Sequence, residues 1–202
     1  MRVNSAHLLQ VVIMAEVELL KLSSLVDLVN LRGAYFLGYG VLLGMSFWVT
    51  FVGGVIAHRA LPRQQFGALQ HRVFPAYFKT SIVLTGGLLY LWYYGHPTVL
   101  EHVLQPQVAD VAQTYALASI VIGQTLNLAV IGPLTSKTMF ERYQLEKDEG
   151  KSYNDPDVSP KMKAITSRFM QLHGISSLLN LGAFIATSFH GLWIASKGLG
   201  SL

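Results

Sequence analysis

Residues 34–57 read AYFLGYGVLLGMSFWVTFVGGVIA, and this stretch decides the fold. It contains no charged side chain. A soluble helix shows an apolar stripe and a polar back. Here apolar and small residues run all the way round. About 20 such residues, wound at about 1.5 Å each, cross the hydrocarbon layer of a bilayer, and a helix satisfies its own backbone there. The stretch is therefore expected to be a transmembrane helix.

Three further windows pass the same test: residues 76–95, 111–134 and 170–196. Lys79 lies near one end of the first of these, where its stem can snorkel. None of the segments alternates over ten or so residues as a barrel strand does. The composition agrees, with 51% hydrophobic and only 13% charged residues, against roughly 25% charged in soluble chains. The charges crowd into residues 58–79 and 137–168. Cysteine is absent, which excludes disulfides, thiolate metal sites and cysteine nucleophiles. The net charge of +4 sits mostly in segments flanking the apolar windows. No basic–aromatic platform is present, so nucleic acid is not an expected partner.

Residues 5–31 are apolar in a different way. Wound as a helix, they place Glu16, Ser23, Asp27 and Asn30 on one stripe, with Glu18 and Lys21 spaced for a salt bridge on another. Five charges between Glu16 and Arg32 make a lipid-facing span costly. An amphipathic helix on the membrane surface, or packed on the bundle or a partner, is the expectation. The acids that follow residues 8–15 argue against a cleaved signal and against a mitochondrial transit peptide. The chain thus divides into an N-terminal segment, 1–32, and a membrane domain, 33–202. The fold class is all-α: an integral membrane four-helix bundle with an additional N-terminal amphipathic helix.

Four spans put both termini and the 2–3 connection on one side. The other side then holds Arg59, Arg63, Arg72, Lys79, Lys137, Arg142, Lys147, Lys151, Lys161, Lys163 and Arg168, eleven of the fifteen basic residues. The positive-inside rule places that side in the cytosol. The 137–168 segment is the one hydrophilic stretch. The third helix is expected to run out into it until Gly150, and Pro160 is placed to start the helix that becomes the fourth span. Pro62 suits the first turn of a small helix carrying Phe66, Leu69 and Val73, with Pro75 preceding the second span.

The fourth window carries His173, Ser177, Asn180, Phe184, Thr187 and Gly191 at spacings of three and four, one face of a helix. Gln124 and Asn127 share a face of the third window, followed by Pro133 and Thr135. Polar residues so spaced turn inward and bond across helices, as packing glue or as the lining of a transport path. His173, Ser177, Asn180, Gln124, Asn127 and Thr135 form the candidate seam. Gly40 with Gly44, and Gly182 with Ala186, are spaced to let helices approach closely. Arg59, Arg63, Arg72 and Lys79 could hold anionic lipid headgroups or simply fix topology. His96, His102 and His190 fall on one side, but their spacing matches no zinc or haem motif, so no metal or cofactor is expected. No catalytic motif such as GxSxG, a P-loop, GxGxxG or HExxH is present.

Two stretches carry a resemblance. The first is Phe47 to Gly54 (FWVTFVGG), with Ala60 to Gly67 (ALPRQQFG) and Val73 to Phe78 (VFPAYF). The second is Arg168 to Gly182 (RFMQLHGISSLLNLG). With Asn127, Pro133 and Thr135, they resemble the transmembrane protein 205-like family over about residues 33–195. The resemblance implies small four-helix membrane proteins of no established biochemical activity. It marks Trp48, Thr50, Pro62, Arg63, Phe66, Gly67, Pro75, Tyr77, His173, Gly174, Ser177 and Asn180 as positions of the shared core. The first 32 residues lie outside that core, and Gly132 stands where some relatives place an acid.

The functional expectation is a non-enzymatic multi-pass membrane protein, an accessory subunit or lipid-interacting component of a larger assembly. The alternative is a transporter of a small solute, cation, metal or drug along the polar seam. A haem- or copper-linked role, by fold analogy alone, is the remote third. Membrane lipids, a larger membrane complex or a second copy of the chain are the expected partners. The endoplasmic reticulum or another endomembrane is expected ahead of a mitochondrial membrane.

Overall fold

A computed structural model describes residues 19–200. Among the described residues every regular element is helical. A six-residue helix, α1 (Leu22–Asp27), precedes a break at which the Asn30 side chain accepts from the Gly33 N–H. That cap starts α2 (Leu31–Ala60), with a π-helical turn at Trp48–Gly53. Then come α3 (Arg63–Gly95), a 3-10 turn at Pro97–Val99, α4 (Ala109–Glu149) with a π turn at Asn127–Ile131, and α5 (Pro160–Lys197). The helix expected over residues 5–31 lies largely outside the described residues. Their described part is α1, separated from α2 by the Asn30 break.

Three of these helices, α2, α4 and α5, are long and apolar enough to cross a membrane. The fourth long helix, α3, runs beside α4 from end to end. Trp92 Nε1 donates to the Asp110 carbonyl at 3.1 Å at one end. At the other the Tyr143 hydroxyl donates to the Arg63 carbonyl at 3.2 Å. The remaining neighbours are α4 on α5 and α2 on both α3 and α5.

The helices outrun the apolar windows. The short helix expected after Pro62 and the window that follows Pro75 are one helix, and Pro75 lies inside it. The stops are local chemistry. Gly150 ends α4 with φ of 63°, the left-handed conformation glycine adopts freely. Ser159 caps α5 by accepting from the Met162 N–H, with Pro160 in the first turn.

The polarity of the molecule is inverted relative to a soluble protein. Phe36, Leu37, Val83, Leu178 and Leu192 are each more than 60% exposed. Gln113, Gln124, Asn127, Ser81, Thr85 and His190 are fully buried. Such an apolar exterior over a polar interior suits lipid as the solvent. An apolar core of Tyr35, Leu42, Leu88, Trp92, Leu117 and Ile120 fills the space between those polar groups. A smaller cluster, Leu145, Val158 and Met162, joins α4 to α5 at the basic end.

A candidate polar seam between the helices

Each of the four long helices contributes to one buried hydrogen-bonded cluster. Gln124 on α4 donates through Nε2 to the Tyr77 hydroxyl on α3 and to Asn180 Oδ1 on α5, both at 3.3 Å. Asn180 Nδ2 donates to Thr50 Oγ1 on α2 at 2.8 Å. The Tyr77 hydroxyl donates to Ser46 Oγ, also on α2, at 3.2 Å. One turn further along α4, Asn127 Nδ2 donates to the Ser176 carbonyl at 3.2 Å.

Two π turns flank this cluster. Thr50 lies in one and Asn127 begins the other. In the second, the Gly132 N–H donates to the Asn127 carbonyl five residues back. A Cβ at Gly132 would stand 2.6 Å from that carbonyl oxygen, so the turn requires glycine. Thr135, half-buried, donates to the Ile131 carbonyl at 2.7 Å. Extra residues of this kind turn a side chain inward that a regular α-helix would direct elsewhere.

A second buried cluster lies at the opposite end. The Tyr35 hydroxyl is 2.6 Å from His190 Nε2, and His190 Nδ1 is 2.9 Å from Gln113 Oε1. The imidazole thus bridges the Tyr35 hydroxyl and the Gln113 amide, and the orientation of that amide decides which ring nitrogen carries the proton. The Trp92 ring meets His190 edge-on at 5.1 Å and stacks on His96 at 4.0 Å. His96 approaches Asp110 at 3.9 Å. Tyr77, Ser81, Thr85 and Trp92 are buried on one face of α3 and join the two clusters along the interior.

Among the described residues, the buried atoms without a hydrogen-bond partner include five along this interior: Ser81 Oγ, Thr85 Oγ1, Gln113 Nε2, Gln124 Oε1 and Asn127 Oδ1. Groups of this kind are otherwise paired in native interiors, and leaving one unpaired costs about 1–3 kcal/mol. Four of the five can accept a hydrogen bond.

Of the expected seam, Gln124, Asn127 and Asn180 come together and Thr135 lies one turn beyond Ile131. His173 and Ser177 do not join them: both are exposed, and His173 stacks on Phe169 at 5.7 Å. The buried stripe of α5 runs through Met162, Asn180, Ala183, Thr187, His190 and Ile194. Aligning the face on polar residues rotates it toward a flank, where Phe184 meets Phe51 at 5.1 Å. Gly40, Gly44 and Gly182 also face outward, with nothing within 4 Å of where a Cβ would stand. Close glycine contacts inside the bundle are instead at Gly191, whose Cβ position the Tyr39 hydroxyl occupies, and at Gly67, packed on Tyr143 and Met139.

The basic residues separate as well. Arg59, Arg72 and Lys79 are exposed. Arg63 instead pairs with Glu146 at 2.5 Å and lies over the Tyr143 and Tyr153 rings at 5.1 and 4.8 Å. Arg142, buried, also lies over Tyr153 at 4.5 Å and over Phe169 at 4.3 Å. Burial first, then the neighbouring Arg63 charge, holds the Arg142 pKa below its ordinary value. The knot ties the 150–158 segment to the start of α3. Among the described residues no group of three His, Asp or Glu side chains is placed to hold a metal ion. His102 is exposed, away from buried His190, so the three-histidine arrangement does not assemble.

Sequence reasoning missed Tyr35, Gln113 and Ser46, and marked Tyr77 through the family resemblance alone. The two tyrosines pass in sequence for interfacial aromatics. Gln113 shares a helical face with Gln124, three turns away, and that spacing was the available signal.

Residues 37–144 match the family described as Domain of unknown function (DUF4149). The chain is 29% identical over 173 residues to Xanthocillin biosynthesis cluster protein D of Aspergillus fumigatus, covering 86% of this chain and 94% of that one. It is 28% identical over 166 residues to Transmembrane protein 205 of Danio rerio, covering 75% of this chain and 85% of the relative. No solved structure matches it.

Proposed function

The chain belongs to the DUF4149 family, that of the transmembrane protein 205-like membrane proteins, and on that premise we propose that it is a non-enzymatic carrier that passes a small, hydrogen-bond-donating solute or cation along the interior seam. The observation that carries this reading is the column of unpartnered polar atoms from Gln113 through Thr85 and Ser81 to Gln124 and Asn127. Polar groups inside a membrane bundle are costly and tend to line a path. All four long helices cross in this reading. If α4 spans the bilayer, α3, matched to it at both ends, shares the same slab. The basic end faces the cytosol, as the positive-inside rule asks.

The natural chain has no cysteine, which supplies a direct test. Single cysteines at Ser81, Thr85, Gln113 and Gln124 are treated with a charged, water-soluble thiol reagent in sealed vesicles. A carrier predicts modification at these sites and little at Leu88 or Ile120, which belong to the packed core. Protection at all six sites means a dry interior and rejects the carrier.

A second reading, accessory subunit of a larger membrane assembly, has its own support. Gly40 and Gly44 form a small-residue pair that faces outward, where a partner helix could approach closely. The apolar residues Leu20, Leu22 and Val29 around α1 are also exposed. A relative bears the name of a biosynthesis cluster protein, compatible with either role. A stoichiometric partner on purification in mild detergent, lost when Gly40 and Gly44 are both changed to Leu, favours this second reading.

A further inference from the structure

The basic end of the molecule carries a cleft of about 740 Å³ that the seam does not use. Its wall includes Arg63, Gln64, Gln144, Lys147, Lys151 and Ser152. Glu146 is the acid on that wall, and it is engaged twice: Oε2 by Arg63 at 2.5 Å and Oε1 by the Tyr153 N–H at 2.9 Å. A second guanidinium, that of buried Arg142, stands on the same Tyr153 ring but does not line the cleft. Three basic side chains, Arg63, Lys147 and Lys151, line the cleft with that one carboxylate, while Asp148 and Asp155 are not among its lining residues and accept from Gln144 Nε2 and the Ser152 N–H, both at 2.8 Å. Arg63 Nη1 and Arg142 Nε have no hydrogen-bond partner.

The backbone adds to this. Arg63 and Gln64 are the first two residues of a 33-residue helix, and the first N–H groups of a helix have no intrahelical partner. Pro62 precedes them and offers no capping side chain. Those N–H groups carry the positive end of the helix dipole. Lys147 and Lys151 reach in from the last turn of α4 and the segment beyond it, both exposed. Lys151 Nζ leans only on the Asp157 carbonyl, at 3.1 Å.

We propose that this cleft binds a phosphate group. A tetrahedral dianion can accept at once from a guanidinium, two ammonium groups, a side-chain amide and helix N–H groups, whereas a flat carboxylate uses fewer of them. Such a phosphate can be that of a soluble phosphorylated compound or of a phosphorylated lipid headgroup rising from the bilayer surface. The site does not depend on what moves along the seam, so the two readings stand or fall separately.

The test uses the full chain in nanodiscs of phosphatidylcholine, with equilibrium binding of radiolabelled inorganic phosphate. A second arm adds phosphatidylinositol phosphate to the discs and measures its retention on the protein. Lys147→Gln/Lys151→Gln is compared with Lys161→Gln/Lys163→Gln, which removes equal charge from exposed positions outside the cleft. Saturable binding is expected in at least one arm, weakened roughly tenfold, about 1.4 kcal/mol, by the cleft pair and little by the control pair. Binding of free phosphate identifies a soluble ligand. Retention of the lipid alone identifies a headgroup. No saturable binding in either arm, or equal weakening by both pairs, overturns the proposal. The cleft lysines are exposed and lie outside the Arg63–Glu146–Tyr153 knot, so loss of fold does not confound the result.

Discussion

Asn180 is the residue on which the seam turns, because it accepts from Gln124 and donates to Thr50. Interhelical bonds in membrane proteins average about 0.6 kcal/mol, and orphaning a buried partner adds to that. Asn180→Ala should therefore cost roughly 1–2 kcal/mol in thermal unfolding in detergent. Ser177→Ala, less than a turn away but exposed, should leave the transition unmoved within about 0.5 kcal/mol. Glycines offer the same contrast. Gly191→Ala drives a methyl into the Tyr39 hydroxyl and should destabilise by about 1–3 kcal/mol. Gly182→Ala meets open space and should be neutral. Equal effects at Gly182 and Gly191 would mean that the face of α5 is assigned wrongly. At this scale the sequence showed which amides are interior, since Gln124, Asn127 and Asn180 have no reason to stand in apolar windows otherwise. It did not show the phase. A polar stripe and a buried stripe differ by less than one turn, and only the neighbouring helices decide between them.

The π turns in α2 and α4 are features of elements rather than of residues. Each adds a residue to the helical turn, beside Thr50 in one case and at Asn127 in the other. Gly132→Ala should strain the second, because its Cβ would stand 2.6 Å from the Asn127 carbonyl oxygen. The expected result is a loss of about 1–3 kcal/mol together with faster hydrogen exchange at residues 127–132. Unchanged exchange there would mean that the turn relaxes to regular helix without cost. A π turn has no sequence signature of its own. Pro133 marked the place but not its geometry. Helix ends were more legible, since Gly150, Ser159 and Pro160 act through local backbone chemistry that composition exposes directly. The continuity of α3 through Pro75 was not legible. A proline is expected at a boundary, and here packing along α4 on both sides of it keeps the helix whole.

At the scale of the molecule, the apolar windows settled that this chain lives in a membrane, while the number of crossings depends on α3. That helix carries Lys79 and several tyrosines and threonines, which dilute its apolar character below that of α2, α4 and α5. Its neighbours argue for a crossing: Trp92 meets Asp110 and Arg63 meets Tyr143 at opposite ends of α4. The two topologies make different predictions. If all four helices cross, the connection at residues 96–108 lies on the side opposite residues 150–158, and the C-terminus shares the side of residues 96–108. If α3 does not cross, residues 96–108 lie on the same side as the Ala60–Arg63 turn, and residues 150–158 lie opposite that turn. Epitope tags placed in the 60–62 turn, in residues 96–108, in residues 150–158 and at the C-terminus distinguish these by antibody access before and after permeabilising the internal membranes of intact cells. We expect the 60–62 and 150–158 tags to be reached from the cytosol and the other two to need full permeabilisation. Access to the 150–158 tag without access to the 60–62 tag removes α3 from the membrane and with it the four-helix seam, because Tyr77, Ser81 and Thr85 would then have no interior to line.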